Sequence, residues 1–370
     1  MTTEDPRRTG FVTDERFFWH RSTVDFGPWV EGGLALEGPE PRRRLLDLIQ
    51  TSGLRDELVG LSPRAATVED LALVHDRHYI ARVQVMSEGA GGEAGEYASF
   101  GPGGFDTAAL AAGAAATAVE AVASGTVDNA YALVRPPGHH AERDRGRGYC
   151  IFANVAVAIR VAQQRGLVRR VAVVDIDVHH GNGTEQAFID DPTVLTVSLH
   201  QDRFYPEDSG QADVTGTDAG RGSNVNIPLP AGTGEGAYQA ALDEIVLPAL
   251  RAHHPDLIVI AAGFDAGGLD PLGRMLLSAS AFGRLARCIR DVADDLCGGR
   301  VVAVQEGGYS ALHVPFCGLR VVEALCGRTT PVEDPFAWID DLPGQSVTND
   351  QRSAIDSARE ALVAGGVQIP

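Results

Sequence analysis

The 370-residue chain contains no lysine; all 31 of its basic residues are arginine. Schiff-base catalysis, a lysine nucleophile and the phosphate-binding loop GxxxxGK[ST] are excluded with it. An arginine-only basic set suggests a high-GC genome and says nothing about mechanism. Positive charge is outweighed by 50 acidic residues, giving a net charge of -19 and a pI near 4.9. Such a field repels nucleic acid and favours cationic substrates. Cysteine is sparse, with five scattered residues (Cys150, Cys288, Cys297, Cys317, Cys326) and no CxxC pair. The odd number and the spacing argue for a reducing compartment and against disulfides or a thiolate zinc site. No run of eighteen uncharged apolar residues occurs, so no membrane span is expected, and the polar start MTTEDPRRTG is no signal peptide. The chain reads as cytoplasmic. With 44% apolar and 22% charged residues, disorder and fibre are excluded and a substantial core is expected.

Short β-branched runs alternate with longer helical stretches from about residue 104 to 327. The runs predict strands at 130–134, 171–176, 194–199, 225–229, 257–262 and 301–305. Alanine-rich or amphipathic stretches predict helices at 106–124, 152–165, 236–252 and 277–297. Continuous apolar runs separated by helices mean an α/β fold, a mostly parallel sheet with helices on both faces. Ligands should then sit beyond the carboxyl ends of the strands. No low-complexity linker or long repeat divides residues 1–370, which read as one domain with a core over about 10–330 and an irregular tail and helix over 331–370. The glycine-rich patch 89–104 reads as a surface loop carrying Glu93 and Glu96, a candidate rim. The last helix is expected near 350–364.

The strongest chemical signal is VAVVDIDVHHGNG, where Asp175, Asp177 and His179 alternate. An extended backbone points all three to one side, with Val174, Ile176 and Val178 on the other. Two carboxylates at the end of an apolar strand are costly unless paired or bound to a cation. A second strand, LIVIAAGFDAGGLDP, delivers Asp265 at its carboxyl end, followed by glycines. Alone, Asp265 fits a helix cap equally well. With Asp177 and His179 it gives an oxygen, nitrogen, oxygen set with open positions, the pattern of a catalytic zinc.

His139 and His140 follow a strand and a rigid Pro-Pro-Gly turn in YALVRPPGHHAE. Adjacent histidines so held fit a general base and a general acid, each needing a partner to fix its tautomer. Asp175 and Asn182 are the obvious partners, and an Asp behind one ring but an Asn behind the other would separate their basicities. In VVAVQEGGYS, a strand ends in Glu306, two glycines and Tyr309, whose hydroxyl can reach a developing oxyanion. His75 and His78 in VHDRHY read as structural residues on a helix, and His253-His254 as a surface pair at a helix end. GTGEGA (232–237) meets only the loose GxGxxA form and carries little weight as a dinucleotide site.

Together these motifs resemble the bacterial histone deacetylase-like amidohydrolases, class II zinc deacetylases of the arginase-deacetylase superfamily, near the acetylpolyamine amidohydrolases. The resemblance covers roughly residues 10–330: RPPGHHA (135–141), GYCIFAN (148–154), DIDVHHGNGT (175–184), TVSLHQ (196–201), GFDAGGLDPL (263–272) and QEGGY (305–309). It implies Asp177, His179 and Asp265 as zinc ligands, His139 and His140 as the tandem histidines, with Asp175 and Asn182 behind them, and Tyr309 as the transition-state tyrosine. It further implies a potassium site from Asp175, the carbonyls of Asp177, His179 and Leu199, and Ser198, and a second alkali site around Phe188, Asp191 and Val194. Gly148 is similar to the narrow point of an acyl-lysine tunnel, and Leu272 and the rim residue Glu96 are further candidate substrate contacts. The tunnel walls carry Tyr149 and Tyr205 where histone deacetylases usually have phenylalanine, as acetylpolyamine amidohydrolases do at least at the first.

The expected activity is zinc-dependent hydrolysis of an N-acetyl amide of a lysine-like amine, with His140 as base, His139 as electrostatic partner and possible acid, and Tyr309 donating to the oxyanion. An acetylpolyamine or secondary-metabolite amidohydrolase uses the same residues. An arginase-like binuclear manganese enzyme would need a second metal set, and a silent acyl-lysine binding module would have lost a ligand or the tyrosine. The expected partners are an acetylated lysine-like or polyamine substrate, with no nucleic acid and no membrane; a homo-oligomer stays open. Arg143, Arg145 and Arg147 near the rim would oppose a cationic substrate unless paired with Glu142, Asp144, Glu93 or Glu96.

Overall fold

Successive residues of each core strand enter different apolar layers. Ala172, Val174, Ile258, Ile260 and Ala303 join one cluster, while Val171, Val173, Val259, Val302 and Val304 join the other. The period of two thus demands helices on both sides. The computed structural model describes residues 7–22 and 36–367. Among the described residues the main sheet has eight strands: β1 (Thr9–Val12), β2 (Val59–Leu61), β3 (Asn129–Ala132), β4 (Val171–Asp175), β5 (Val194–Gln201), β6 (Asn224–Leu229), β7 (Leu257–Ala262) and β8 (Val301–Gln305). They run in the order β6-β5-β4-β7-β8-β3-β1-β2, with every pairing parallel.

One face is covered by α1 (Glu40–Thr51), by α6 (Glu235–Ala241, continuing through a π turn at Leu242–Val246 into Leu247–His253), and by α7 (Ala279–Cys297), α8 (Val314–Cys326) and α9 (Asn349–Ala364). The other carries α3 (Gly104–Ala123), α4 (Asn154–Gln164) and α5 (Asn182–Phe188), while α2 (Arg77–Glu88) packs against α3. By length and composition α3 is apolar enough to cross a membrane, but its alanines are buried against β1, β3 and α4.

The strands at 257–262 and 301–305 stand as predicted, and the other four shift at their ends by up to two residues. The expected strands and helices do not include β1, β2, α1, α2, α5 and α8. The patch at 89–104 is no simple surface loop. Gly92–Glu93 pairs antiparallel with Ser99–Phe100, Gly95–Glu96 pairs parallel with Gly146–Arg147, and Ala94, Ala98 and Phe100 are buried. His75 lies in a bend between two helices, with His78 on α2. His253 is buried, its Nε2 3.1 Å from the Val171 carbonyl, so the pair at 253–254 is only half a surface feature. The start of α6 within GTGEGA is occupied by the tail, since Gly234 and Gly236 donate to the carbonyls of Gly344 and Gln345. The five cysteines are unpaired.

Candidate active site

The four neighbouring strands β4, β7, β8 and β3 end at the centre of the sheet, and the loops leaving them carry the polar cluster. Strand β4 stops at Asp175, so the shared side of Asp175, Asp177 and His179 does not come from extended backbone. A bent loop follows, built from side-chain caps: the Asp177 amide donates to Asp175 Oδ1 (3.0 Å), the His179 amide to Asp177 Oδ1 (2.9 Å) and the Val178 amide to Asp265 Oδ1 (2.8 Å). The ligand atoms of Asp177, His179 and Asp265 converge within 4.8 Å of one another, and all three residues are buried. His179 Nδ1 is 3.0 Å from Asp177 Oδ1 and 3.2 Å from Asp265 Oδ2.

Glycine is required around this cluster. A Cβ on Gly263 would stand 2.0 Å from Asp177 Oδ2, and one on Gly307 would stand 2.1 Å from Asp265 Oδ2. The Gly307 amide donates to Asp177 Oδ2 (2.8 Å). Burial works against a charged His179, but the Asp265 and Asp177 carboxylates outweigh it and push its pKa up to about 10. Burial, reinforced by the Asp177 charge, pushes Asp265 up to about 6. Two carboxylates so arranged are short of positive charge.

The tandem histidines are fixed from behind. Glu306 Oε2 accepts from the amides of Gly138 (2.6 Å) and His139 (3.1 Å), anchoring the turn after β3 to the end of β8. His139 Nδ1 meets Asp175 Oδ2 at 2.9 Å, and His140 Nδ1 meets Asn182 Oδ1 at 2.8 Å. Their surroundings drive them apart. Burial opposes charge on His139, yet Asp177 and Asp175 hold its pKa well above the usual histidine range. Burial lowers His140, and the neighbouring His139 and His179 add to that.

Above this floor lies a cavity of about 250 Å³ lined by Tyr97, His140, Gly148, Tyr149, His179, Phe204, Tyr205, Leu272 and Tyr309. Gly148 has φ +50° and its missing Cβ would stand 2.4 Å from His140 Cδ2. Tyr309 follows Gly308 (φ +116°) and its ring centre lies 5.7 Å from that of Tyr149. Burial raises the Tyr309 hydroxyl well above its ordinary value, and the Asp265 and Asp177 charges add to it.

Most of the expected site residues therefore meet in one place. Glu96 does not line the cavity: its carboxylate pairs with Arg147 (2.8 Å), and Tyr97 takes the rim position. The three arginines divide. Arg147 is buried among Glu96, Glu142 and Asp208, Arg145 pairs with Glu142, and Arg143 is exposed. Ser198 pairs in register with Asp175 and lies 2.9 Å from His200 Nδ1 through its hydroxyl; Leu199 is buried beside it. At the expected second alkali site the Asp191 carboxylate binds Arg160 and Thr193, and the backbone of Val194 and Phe188 bonds to that of Asp191. Sequence reasoning missed Asp270, whose Oδ2 accepts from the amides of Tyr309 (2.7 Å) and Ser310 (3.1 Å) and so sets the tyrosine loop. It also missed Phe204 and the anchoring role of Glu306. The only signal for Asp270 is its place in GLDP after two glycines.

A parallel α/β sheet whose central strand ends gather two carboxylates and an imidazole beneath an aromatic-walled pocket defines a hydrolase-like site. Comparison with known proteins gives the family. The histone deacetylase domain profile matches residues 36–325. The chain is 47% identical over 338 residues to a histone deacetylase-like amidohydrolase of Pseudomonas aeruginosa, covering 89% of each chain. It is 36% identical to a probable deacetylase of Archaeoglobus fulgidus (90% of this chain, 91% of that one). With the human polyamine deacetylase HDAC10 it shares 38% identity over 90% of this chain and 50% of that protein. The crystal structure of the HDA15 HD domain superposes with a TM-score of 0.85 at 30% identity, covering 97% of this chain and 99% of that one. The chain belongs to the histone deacetylase family, and its activity is that of a deacetylase.

Proposed function

We propose that the protein, read as one domain over residues 1–370, hydrolyses N-acetyl amides of lysine-like primary amines with zinc held by Asp177, His179 and Asp265. The observation that carries this is the buried cluster at the foot of a narrow aromatic pocket. The donor set fits the metal. Two carboxylates and one ring nitrogen converge, Asp265 Oδ2 is buried with no donor in hydrogen-bonding geometry and the His179 ring nitrogen 3.2 Å away, and glycines at 263 and 307 keep the space clear. When bound, zinc supplies Lewis-acid polarisation of the acyl carbonyl and the attacking water. Asp175 and Ser198, adjacent across β4 and β5, would contribute to a potassium site with the carbonyls of Asp177, His179 and Leu199.

The chain's own residues divide the remaining work. His140, neutral with its Nδ1–H donated to Asn182, leaves Nε2 free to take a proton from water. His139, held by Asp175, keeps positive charge beside it and can return a proton to the departing amine. The Tyr309 hydroxyl donates to the oxygen that gains charge. Tyr149, Tyr205 and Phe204 narrow the passage so that a slender acyl-aminoalkyl chain reaches the floor and bulk water does not. The unpaired cysteines support a reducing, cytoplasmic setting.

An acetylated polyamine is the second reading. It is favoured by the net charge of -19 and by the polyamine deacetylase relatives. The test is turnover of an acetyl-lysine peptide and of acetylputrescine by metal-analysed enzyme, before and after chelation and zinc add-back. Peptide turnover lost on chelation and restored by zinc, at one zinc per chain, is the expected result. Turnover of acetylputrescine alone moves the function to small amines, and activity that survives metal removal overturns the assignment.

A further inference from the structure

A line of hydrogen bonds leaves His140 on the side away from the pocket and reaches the rim. Asn182 presents Oδ1 to His140 Nδ1 and directs Nδ2 at Glu142 Oε1, both at 2.8 Å. Glu142 is buried, and its carboxylate also accepts from Arg145 (2.8 and 3.1 Å) and Arg147 (3.3 Å). Arg147, equally buried, continues to Glu96 (2.8 Å) and Asp208 (3.0 Å). Neither Glu142 nor Arg147 lines the pocket.

The two ends of an asparagine amide have nearly the same shape but opposite hydrogen-bonding character. Packing alone therefore does not decide which end faces His140. A carboxylate accepts and never donates, so Glu142 at 2.8 Å, helped by a longer bond from Nδ2 to the His140 carbonyl (3.4 Å), keeps Nδ2 on its own side and Oδ1 toward the imidazole. His140 must then carry its proton on Nδ1, with the lone pair on Nε2 facing the pocket. Were the amide reversed, Nδ2 would call for an acceptor at Nδ1. The proton would then sit on Nε2, where the ring could accept nothing.

We propose that Glu142 is a positioning residue that acts through Asn182 to hold His140 in the Nδ1–H tautomer, with Arg145 and Arg147 keeping its carboxylate in place. This rests on the reading of His140 as the base. The arginines at 145 and 147 then serve the interior of the site as counter-charges, which answers why a pocket suited to cationic amines has arginine at its edge.

The test uses the zinc-loaded enzyme with Glu142→Leu, Asn182→Ala and the double variant. Loss of the orienting bond should lower kcat about tenfold in Glu142→Leu with KM little changed. Nitrogen NMR of the histidine side chains should show the Nε2–H form of His140 gaining population. The same substitution made beside Asn182→Ala should have no further effect. Glu142→Gln, which keeps one oxygen acceptor, should lose less, about threefold in kcat. If the leucine variant does not fold, the glutamine variant carries the same comparison, with a loss of about threefold that vanishes beside Asn182→Ala. Additive losses, or an unchanged His140 tautomer, overturn the inference while leaving the base assignment standing. Full activity in Asn182→Ala overturns the inference, and full activity in His140→Ala overturns the base assignment on which it rests.

Discussion

Replacing Gly148 with alanine tests the narrow point of the pocket directly. With φ at +50°, an alanine there carries about 1 kcal/mol of left-handed backbone cost. Its Cβ would stand 2.4 Å from His140 Cδ2 and 2.9 Å from Tyr205 Cε1, against an ordinary carbon contact of about 3.5 Å. Something must yield by roughly 1 Å. The backbone resists, because the Gly148 amide donates to the Glu96 carbonyl at 2.9 Å. The imidazole yields instead and loses its 2.8 Å bond to Asn182, worth about 1 to 1.5 kcal/mol. The sum is a destabilisation of about 2 to 2.5 kcal/mol. Displacing a positioned catalytic group by about 1 Å lowers kcat about a hundredfold. The assay pairs urea unfolding with kcat on an acetyl-lysine peptide. Gly166→Ala is the control: its φ is +67° and nothing lies within 4 Å of the added Cβ, so it carries the backbone cost alone and leaves kcat untouched. Near-wild-type turnover in Gly148→Ala, or an equal loss in both variants, refutes the reasoning.

Tyr309→Phe should reduce kcat by about a hundredfold or more while zinc content stays the same; an active phenylalanine variant removes the tyrosine from the mechanism. Asp265→Asn should bind zinc poorly by metal analysis, yet after chelation it should melt no lower than chelated wild type, because one of two crowded buried carboxylates is gone. A lower melting point in the chelated variant contradicts that charge balance. Arg135 is fully buried, with Nε 2.8 Å from Glu37 Oε1 and further bonds to the carbonyls of Phe17, His20 and Glu37; Arg135→Met leaves Glu37 to Arg42 alone and strips those carbonyls of their donor, so it should cost about 3 to 5 kcal/mol in urea unfolding, and an unchanged midpoint would show that the network is dispensable. Burial depresses His75 to about 4 from 6.5, which the backbone bonds to it only partly offset. Its neutral ring supplies stability that is full above pH 6.5 and lost as the pH falls toward 4, roughly 3 kcal/mol in all. His75→Gln should flatten that part of the stability curve, and parallel curves for the two proteins would count against it.

What could be read from the sequence is what depends on local chemistry. Val171–Asp175 and Val301–Gln305 are apolar on both faces and end in carboxylate or amide, so strand, burial and polar terminus all appear in one short string. β1 and β2 leave no such string. They are four and three residues long, and β2 is mostly exposed at the sheet's edge. Helix α1 hides its apolar stripe of Leu45 and Ile49 behind a run of arginines, one of which, Arg42, is itself buried. Within the site, Asp177, His179 and Asp265 announce themselves because uncompensated polar groups at apolar strand ends are rare. Glu142, Asp270 and Glu306 act by accepting from amides and side chains distant in sequence: Asn182 from Glu142, Tyr309 from Asp270, Gly138 from Glu306. Such partnerships have no local signature.

The same distinction explains how two adjacent, identical side chains become different chemical groups. His139 and His140 share a turn, their ring centres are 3.9 Å apart, and both are buried. Burial alone would make both neutral. The difference lies in the residues that accept from Nδ1. Asp175 brings negative charge and, with Asp177 nearby, holds His139 cationic. Asn182 brings an oxygen without charge, so His140 stays neutral, and the cation beside it strengthens that outcome. A carboxylate still serves His140, but one residue further away, where Glu142 shares its charge with two guanidinium groups and orients the amide between them. Moving the charge outward by the length of one asparagine fixes the tautomer without raising the basicity, which is the combination a base working near neutral pH requires.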